Sequence, residues 1–208
     1  MSTPITSDTN IINVNNSLNT ILLSYVTKGV IITFDLPDLD NLPSEPTLSV
    51  FLYEIHEDLR LRTGQSRTSS VPDKTTNAVT ISPGWVNVNC NYLITYWDST
   101  QGGGGGDSPA SAPDNQAIKV MNQVVNALVN NRTLPGLTGS YTRMIAPKDE
   151  LNSLGNFWQS LGNKPRLSLY ASVTVPITLS AAVPVTAVGV LTTEADLEQG
   201  VTQKIKAS

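Results

Sequence analysis

The segment WVNVNCNYLITYW, from Trp85 to Trp97, alternates its side chains almost without a break. Val86, Val88, Cys90, Tyr92 and Ile94 fall on one side; Asn87, Asn89, Asn91 and Thr95 fall on the other. A period of two belongs to a pleated strand, whose successive side chains point to opposite faces. Over YLITYW both sides turn apolar or aromatic, so the strand is expected to start half exposed and end buried. Such a strand needs paired neighbours and a cover for its apolar face.

The neighbours are legible. TLSVFLYEIHED, residues 47–58, is apolar on both faces through Phe51, Leu52 and Tyr53, as in a central strand covered on two sides. VIITFDLP reads as a buried strand ended by Pro37, AVTIS and SYTRMIAP as short strands, and VPVTAVGVLT, residues 183–192, as a further one. RLSLYASVTVPITL places Leu167, Leu169, Ala171, Val173, Val175 and Ile177 on one face.

Three segments carry helical spacing. Residues 8–26 line up Ile11, Val14, Leu18, Ile21 and Tyr25, with Ser7 or Asp8 as N-cap and Gly29 at the stop. A second helix starts near Ser111, where Ser111 and Asp114 match a capping box, and carries Ile118, Met121, Val125 and Leu128 as its stripe. KDELNSLGNFWQSLGN gives a third, with Leu151, Leu154, Trp158 and Leu161 on one side. The order of segments predicts an α+β fold, a mostly antiparallel sheet with about three helices packed on it. Residues 1–180 are expected to form that domain, with a flexible glycine-rich loop over 100–110, and residues 181–208 a C-terminal extension or arm. The run Gly102 to Gly106 reads as a tether that adapts, or as a tolerated insertion.

Composition narrows the function classes. Charged residues are 14% of the chain, against roughly 25% in an average soluble domain. Ser, Thr and Asn fill the difference, and an uncharged polar surface is buried against a partner at low desolvation cost. A net charge of −4 and the lack of a basic stripe argue against nucleic acid as a partner. No run approaches the roughly 18 apolar residues of a membrane span, and MSTPITSDTN lacks the pattern of a secretion signal. Folding in the cytosol and no membrane partner are the expectations.

The residues call for no catalysis, cofactor or metal. The single histidine, His56, stands beside Glu57 and Asp58 at a strand end, without a visible nucleophile. One His and one Cys cannot make a zinc site, which takes three or four such ligands. Cys90 reads as a small buried hydrophobe. The glycine run lacks the Lys-Ser/Thr ending of a phosphate loop. Asp35, Asp38 and Asp40 in DLPDLDN do not have calcium-loop spacing, and a solvated turn is the better reading.

Four segments, taken in order, resemble the tail-terminator or cap proteins of extracellular contractile injection systems, the phage-tail-like particles of the Photorhabdus virulence cassette and antifeeding prophage type. They are LSVFLYEIHEDLRLR, VNVNCNYLITYW, IKVMNQVVNALVNNRTLPG and DELNSLGNFWQSLGNKPRLSLYASVTVPI. The matching motifs are Phe51-Leu52-Tyr53, Tyr92-Leu93-Ile94-Thr95, Leu134-Pro135, and Trp158 through Leu161 to Arg166 and Ser168. The resemblance covers about residues 5–178; the glycine run and the residues beyond 180 depart from it. It implies a phage tail-terminator-like, ring-forming fold. It also implies a homo-hexamer that binds the distal end of the inner tube and of the sheath, stops polymerisation and fixes particle length. Assembly would be cytoplasmic, followed by release as part of an extracellular particle. The expected interface residues are Asn87, Asn89 and Asn91 on the amide-rich strand face, and Val185, Val188 and Val190 in the C-terminal stretch. Two other readings stay open: another ring component of the same apparatus, such as a tail-completion or tube-like protein, or a non-enzymatic surface or carbohydrate-binding module.

Overall fold

The computed structural model describes residues 7–37, 43–61, 78–81, 84–98, 112–146, 166–179, 183–186, 195–196 and 202–203. The chain divides into two compact units: Met1–Arg62 with Val86–Ile177, and Thr63–Trp85 with Thr178–Ser208.

The first unit carries a mixed five-stranded sheet. Its strands are β1 (Ile31–Thr33), β2 (Thr47–Glu57), β4 (Trp85–Trp97), β5 (Tyr141–Ile145) and β6 (Ser168–Thr178), in the spatial order β1-β2-β4-β6-β5. β1 runs parallel to β2; β2 with β4 and β5 with β6 are antiparallel. Two helices, α1 (Asn10–Tyr25) and α2 (Gln116–Asn130), lie in contact with each other. The third expected helix, with Trp158, lies outside the described residues, as does the glycine run.

One core joins helices to sheet. Leu48 and Val50 of β2, Cys90, Tyr92, Ile94 and Tyr96 of β4, and Ala171, Val173 and Val175 of β6 cluster with Val14, Leu18, Ile21 and Leu22 of α1. From α2 come Ala117, Val120, Met121, Val124, Ala127 and Leu128. The alternation read in β4 and β6 is therefore the face that meets the helices. Burying each Leu- or Val-sized side chain stabilises the fold by about 1.5–3 kcal/mol. The buried Tyr92 hydroxyl donates to Asn15 Oδ1 at 2.6 Å, which ties α1 to the strand and satisfies the hydroxyl. The end of α1 is tied to α2 by a reciprocal pair. The Thr27 N–H donates to Gln123 Oε1 at 3.0 Å, and Gln123 Nε2 donates to the Thr27 hydroxyl at 2.6 Å.

Several local expectations are corrected. On α1, Leu22 is buried where Tyr25 was expected; Tyr25 is 37% exposed. Asp8 does serve the helix start, but from one place before the N-cap Thr9, accepting the Asn10 N–H. α2 begins after Asn115, whose side chain accepts the Ile118 N–H at 2.9 Å. Asp114 instead pairs with Lys119 at 3.0 Å. The buried stripe of α2 is rotated from the expected one, leaving Ile118 exposed. β1 is short and half exposed rather than buried, because it is an edge strand. Leu167 precedes β6 and is exposed as well.

The second unit holds two small ladders. β3 (Ala78–Ile81) pairs antiparallel with β7 (Val183–Thr186), and β8 (Ala195–Asp196) with β9 (Thr202–Gln203). The stretch expected as an extension or arm thus contains a short antiparallel pairing, Ala195 opposite Gln203 and Asp196 opposite Thr202. Within this unit the Leu179 N–H donates to the Gly84 carbonyl at 2.8 Å.

Candidate functional site

The sheet face opposite the helices is polar at one end, and a β-bulge makes it so. Up to Leu52, β2 and β4 pair residue for residue, Phe51 against Leu93 and Leu52 against Tyr92. The register then shifts between Leu52 and Glu54, so that Glu54 opposes Asn91 and His56 opposes Asn89. One extra residue in a strand reverses the facing of everything after it. Without the bulge at Tyr53, Ile55 would share the amide face and His56 would turn towards the core. With it, Glu54 and His56 stand beside Asn91 and Asn89.

Asn89 is the centre of the resulting cluster. Its Nδ2 donates to Asp58 Oδ2 at 3.1 Å, and its Oδ1 accepts from the Thr174 hydroxyl at 2.6 Å. Arg143 Nη2 reaches the same Oδ1 at 3.5 Å and Asp58 Oδ2 at 3.7 Å. His56 Nε2 lies 3.4 Å from Asn89 Nδ2. Asp58 is placed by two backbone bonds: its N–H donates to the Asn87 carbonyl at 2.8 Å, and its Oδ1 accepts the Arg60 N–H at 3.1 Å. β2, β4, β5 and β6 all contribute. Asp58 and Asn89 are buried, Arg143 half so. A cleft of about 310 Å³ opens over the cluster, lined by His56, Glu57, Asp58, Arg60, Asn89 and Arg143.

The chemistry of this cluster is that of a joint. A buried carboxylate with an amide donor and a guanidinium beside it is held in place. His56 has Glu54 Oε1 at 3.6 Å from its Nδ1 and the Asn89 amide at its other nitrogen. Neither is the hydroxyl or thiol that a histidine base would activate. Cys90 lies on the opposite face, in the core, where burial pushes its thiol up to about 11 and keeps it protonated and inert. Among the described residues no group of three or more His, Cys, Asp or Glu could hold a metal ion. No described helix is long and apolar enough to cross a membrane.

Further along the same face the polar residues give way to aromatics. Tyr53 and Tyr170 meet edge to face, with ring centroids 6.2 Å apart. Burial, and then the neighbouring Glu54 charge, raise the pKa of Tyr53. Trp97 donates to Thr95 Oγ1 at 2.7 Å and carries the Arg166 guanidinium 4.4 Å above its ring.

Of the expected interface residues, Asn89 and Asn91 are buried, with 5% and 2% exposure, and their amides bond within the chain, Asn91 Nδ2 to Glu54 Oε2 at 2.6 Å. Asn87 is half buried. Val185 sits in β7, opposite Val79 of β3; Val188 and Val190 lie outside the described residues. The structure therefore brings Asn89 and Asn91 onto one strand face, and places Val185 in the ladder of the second unit. Sequence reading missed Asp58, Arg143 and Thr174. Asp58 had a signal, since with Glu57 it closes an apolar strand beside the single histidine; Arg143 and Thr174 had none.

The comparisons give this geometry its relatives. The chain is 46% identical, over 98% of its length, to the PVC sheath/tube terminator solved in its extended state within an extracellular contractile injection system. The match covers 67% of that chain at a TM-score of 0.70. It is 52% identical, over 88% of its length, to the anti-feeding prophage cap, a tube terminating cap, covering 61% of that chain at a TM-score of 0.68. This chain thus spans 67% and 61% of the lengths of these two solved chains. No curated protein matches it. The profile of the Pvc16 N-terminal domain family matches residues 13–192, most of the chain, and the chain therefore belongs to the Pvc16 N-terminal domain family.

Proposed function

We propose that this chain is a structural cap of a contractile injection particle, and that six copies close into a ring on the last layer of its inner tube and sheath. The observation that carries the proposal is the 46% identity, across 98% of this chain, to a protein solved as a sheath/tube terminator. The physical task is simple to state. A stacked polymer always ends in an unsatisfied layer. A cap must match that layer on one side and present another side that recruits nothing. Subunits joined head to tail in a closed ring make such a two-sided body. The work is binding, with no reaction, cofactor, nucleic acid or membrane involved. Assembly takes place in the cytoplasm, and the ring leaves the cell as part of the particle.

Low charge suits the role, since 14% charged residues leave little to desolvate at subunit contacts. We assign Asn87 to a subunit contact, with Asn89 and Asn91 behind it holding the strand in register. Residues 181–208 serve as the arm, in which Val185, Val188 and Val190 reach a sheath subunit; among the described residues β7 pairs with β3 alone, and strand addition is the natural mode for its other edge.

Two measurements test this. Mass photometry of the purified protein should give six times the 22.3 kDa chain. Particles assembled from tube and sheath without this chain should be long and of uneven length, and supplying it should narrow the distribution. Unchanged lengths would overturn the cap reading, and long cylinders of the pure chain would turn it into a tube protein.

A further inference from the structure

Among the described residues, β5 is the last strand on its side of the five-stranded sheet. An outermost strand turns every second peptide group away from its partner, and those open groups are a template for another chain. Here they are taken. The Thr142 N–H donates to the Arg132 carbonyl at 2.7 Å. The Thr142 carbonyl accepts from Arg132 Nη1 at 3.0 Å. One residue thus supplies the acceptor and the donor that an adjoining strand would have supplied. Two positions earlier, the Ser140 N–H is occupied by the Leu137 carbonyl at 3.1 Å.

The segment that brings Arg132 there is built to stay. Leu134 and Leu137 are buried at 1% and 5% exposure, and the Leu134 N–H donates to Ser140 Oγ at 3.0 Å. Gly136 and Gly139 take the left-handed backbone that this tight return needs, and Gly139 lies against Pro176, which a Cβ there would touch at 3.4 Å. Of the outward-turned positions in β5, Met144 remains; among the described residues nothing bonds its peptide groups, and its side chain is 38% exposed. A single open position is too short to hold an added strand in register.

We propose that Arg132 seals the β5 edge against strand addition by another chain, so that self-association of this protein runs through other surfaces. The inference does not rest on the cap reading; it holds for the isolated chain. It predicts a gain of association when the seal is lost, which a residue needed only for stability would not give.

The experiment uses the full chain. Arg132→Met keeps a straight apolar stem and removes the guanidinium donors. Sedimentation velocity over a concentration series should shift mass into species larger than any the parent forms, while far-UV circular dichroism stays parental. Adding Met144→Lys, an edge charge that opposes strand pairing, should return the distribution to that of the parent. Met144→Lys alone should leave the parent's assembly untouched. A folded Arg132→Met protein with the parent's size distribution overturns the proposal. So does loss of the parent's assembly on Met144→Lys alone, because the β5 edge would then be a working interface; this arm decides even if Arg132→Met fails to fold.

Discussion

Replacing Asn89 by leucine is the sharpest probe of the polar joint. The two side chains share the same branched heavy-atom skeleton, so no cavity opens and the lost polar contacts dominate. The Asp58 carboxylate loses the donor at 3.1 Å, and hydrogen bonds to charged groups contribute about 1.5–3 kcal/mol. The Thr174 hydroxyl loses its acceptor at 2.6 Å in a buried site, where an unsatisfied group costs about 1–3 kcal/mol. The two are coupled through one side chain, so the sum is not simply additive; a loss of about 3–5 kcal/mol is expected. For a chain of this size that lowers Tm by roughly 6–20 °C. Urea unfolding at fixed protein concentration measures it, with Asn87→Ala, on the half-buried neighbour, as the control expected within about 1 kcal/mol. The Thr174→Val background isolates the bond: in it Asn89→Leu should cost less, since the hydroxyl is already gone. A loss below about 1 kcal/mol for Asn89→Leu, or identical costs in both backgrounds, would refute the assignment of this cluster as a joint between strands.

Four further outcomes follow from other contacts of the fold. Leu18→Ala, in a side chain 1% exposed and central to the core, should cost about 2–5 kcal/mol in the same urea assay. Asn115→Ala removes the side chain that caps α2 and should cost about 1 kcal/mol, whereas Asp114→Ala, on the surface, should leave the unfolding midpoint unchanged. Alkali should unfold the protein from its core: Tyr92 is buried and its pKa is raised above the ordinary 10.0 by that burial and by Cys90. A folded-state pKa above the unfolded one stabilises below pH 10 and is lost as pH rises beyond it. Tyr92→Phe should therefore remain folded to higher pH than the parent, read by circular dichroism, and no difference would count against it. The Cys90 thiol, raised to about 11, should be silent to a thiol reagent at pH 8 in the native protein and react fully once unfolded.

What could be read in advance follows the range of the interactions. β4 and β6 were legible because alternation is a local pattern and their apolar faces do meet the helices. α1 was legible except at its last turn, where Leu22 and Tyr25 both fit the period and only the curvature of the surroundings chooses. α2 was misread by part of a turn for a definite reason. Its buried side includes Ala117 and Ala127, small residues that let a neighbouring element approach closely, while the larger Ile118 faces out. A reading that weights side chains by size selects the wrong stripe. The bulge at Tyr53 leaves no mark in the sequence, since Tyr, Glu and Ile each sit well in a strand. The joint was beyond reach for the same reason: Thr174 and Asn89 are 85 residues apart, and nothing near either foretells the other. The family likeness was legible because it needs only the order of short motifs, not their contacts.

The joint and the sealed edge answer a common physical problem. A purely apolar sheet of this size would be at least as stable, since hydrophobic replacements of buried charges often are. It would also tolerate slippage, because a Val fits against most neighbours, and a one-residue slip turns a whole strand inside out. Asp58, Asn89, Thr174 and Arg143 bond correctly in one register only, and the bulge sets the phase in which Asp58 and His56 arrive on their side. In the ring proposed above this precision would matter more than stability, because each copy would have to present the same surfaces as its neighbours or the ring would stay open. Sealing β5 removes a competing route at the same time: an open strand edge accepts many sequences, whereas ring closure needs one geometry. Polar bonding that fixes the register and a guanidinium that blocks the edge both reduce the number of ways copies can join, and a cap must join its own kind in one way and then stop.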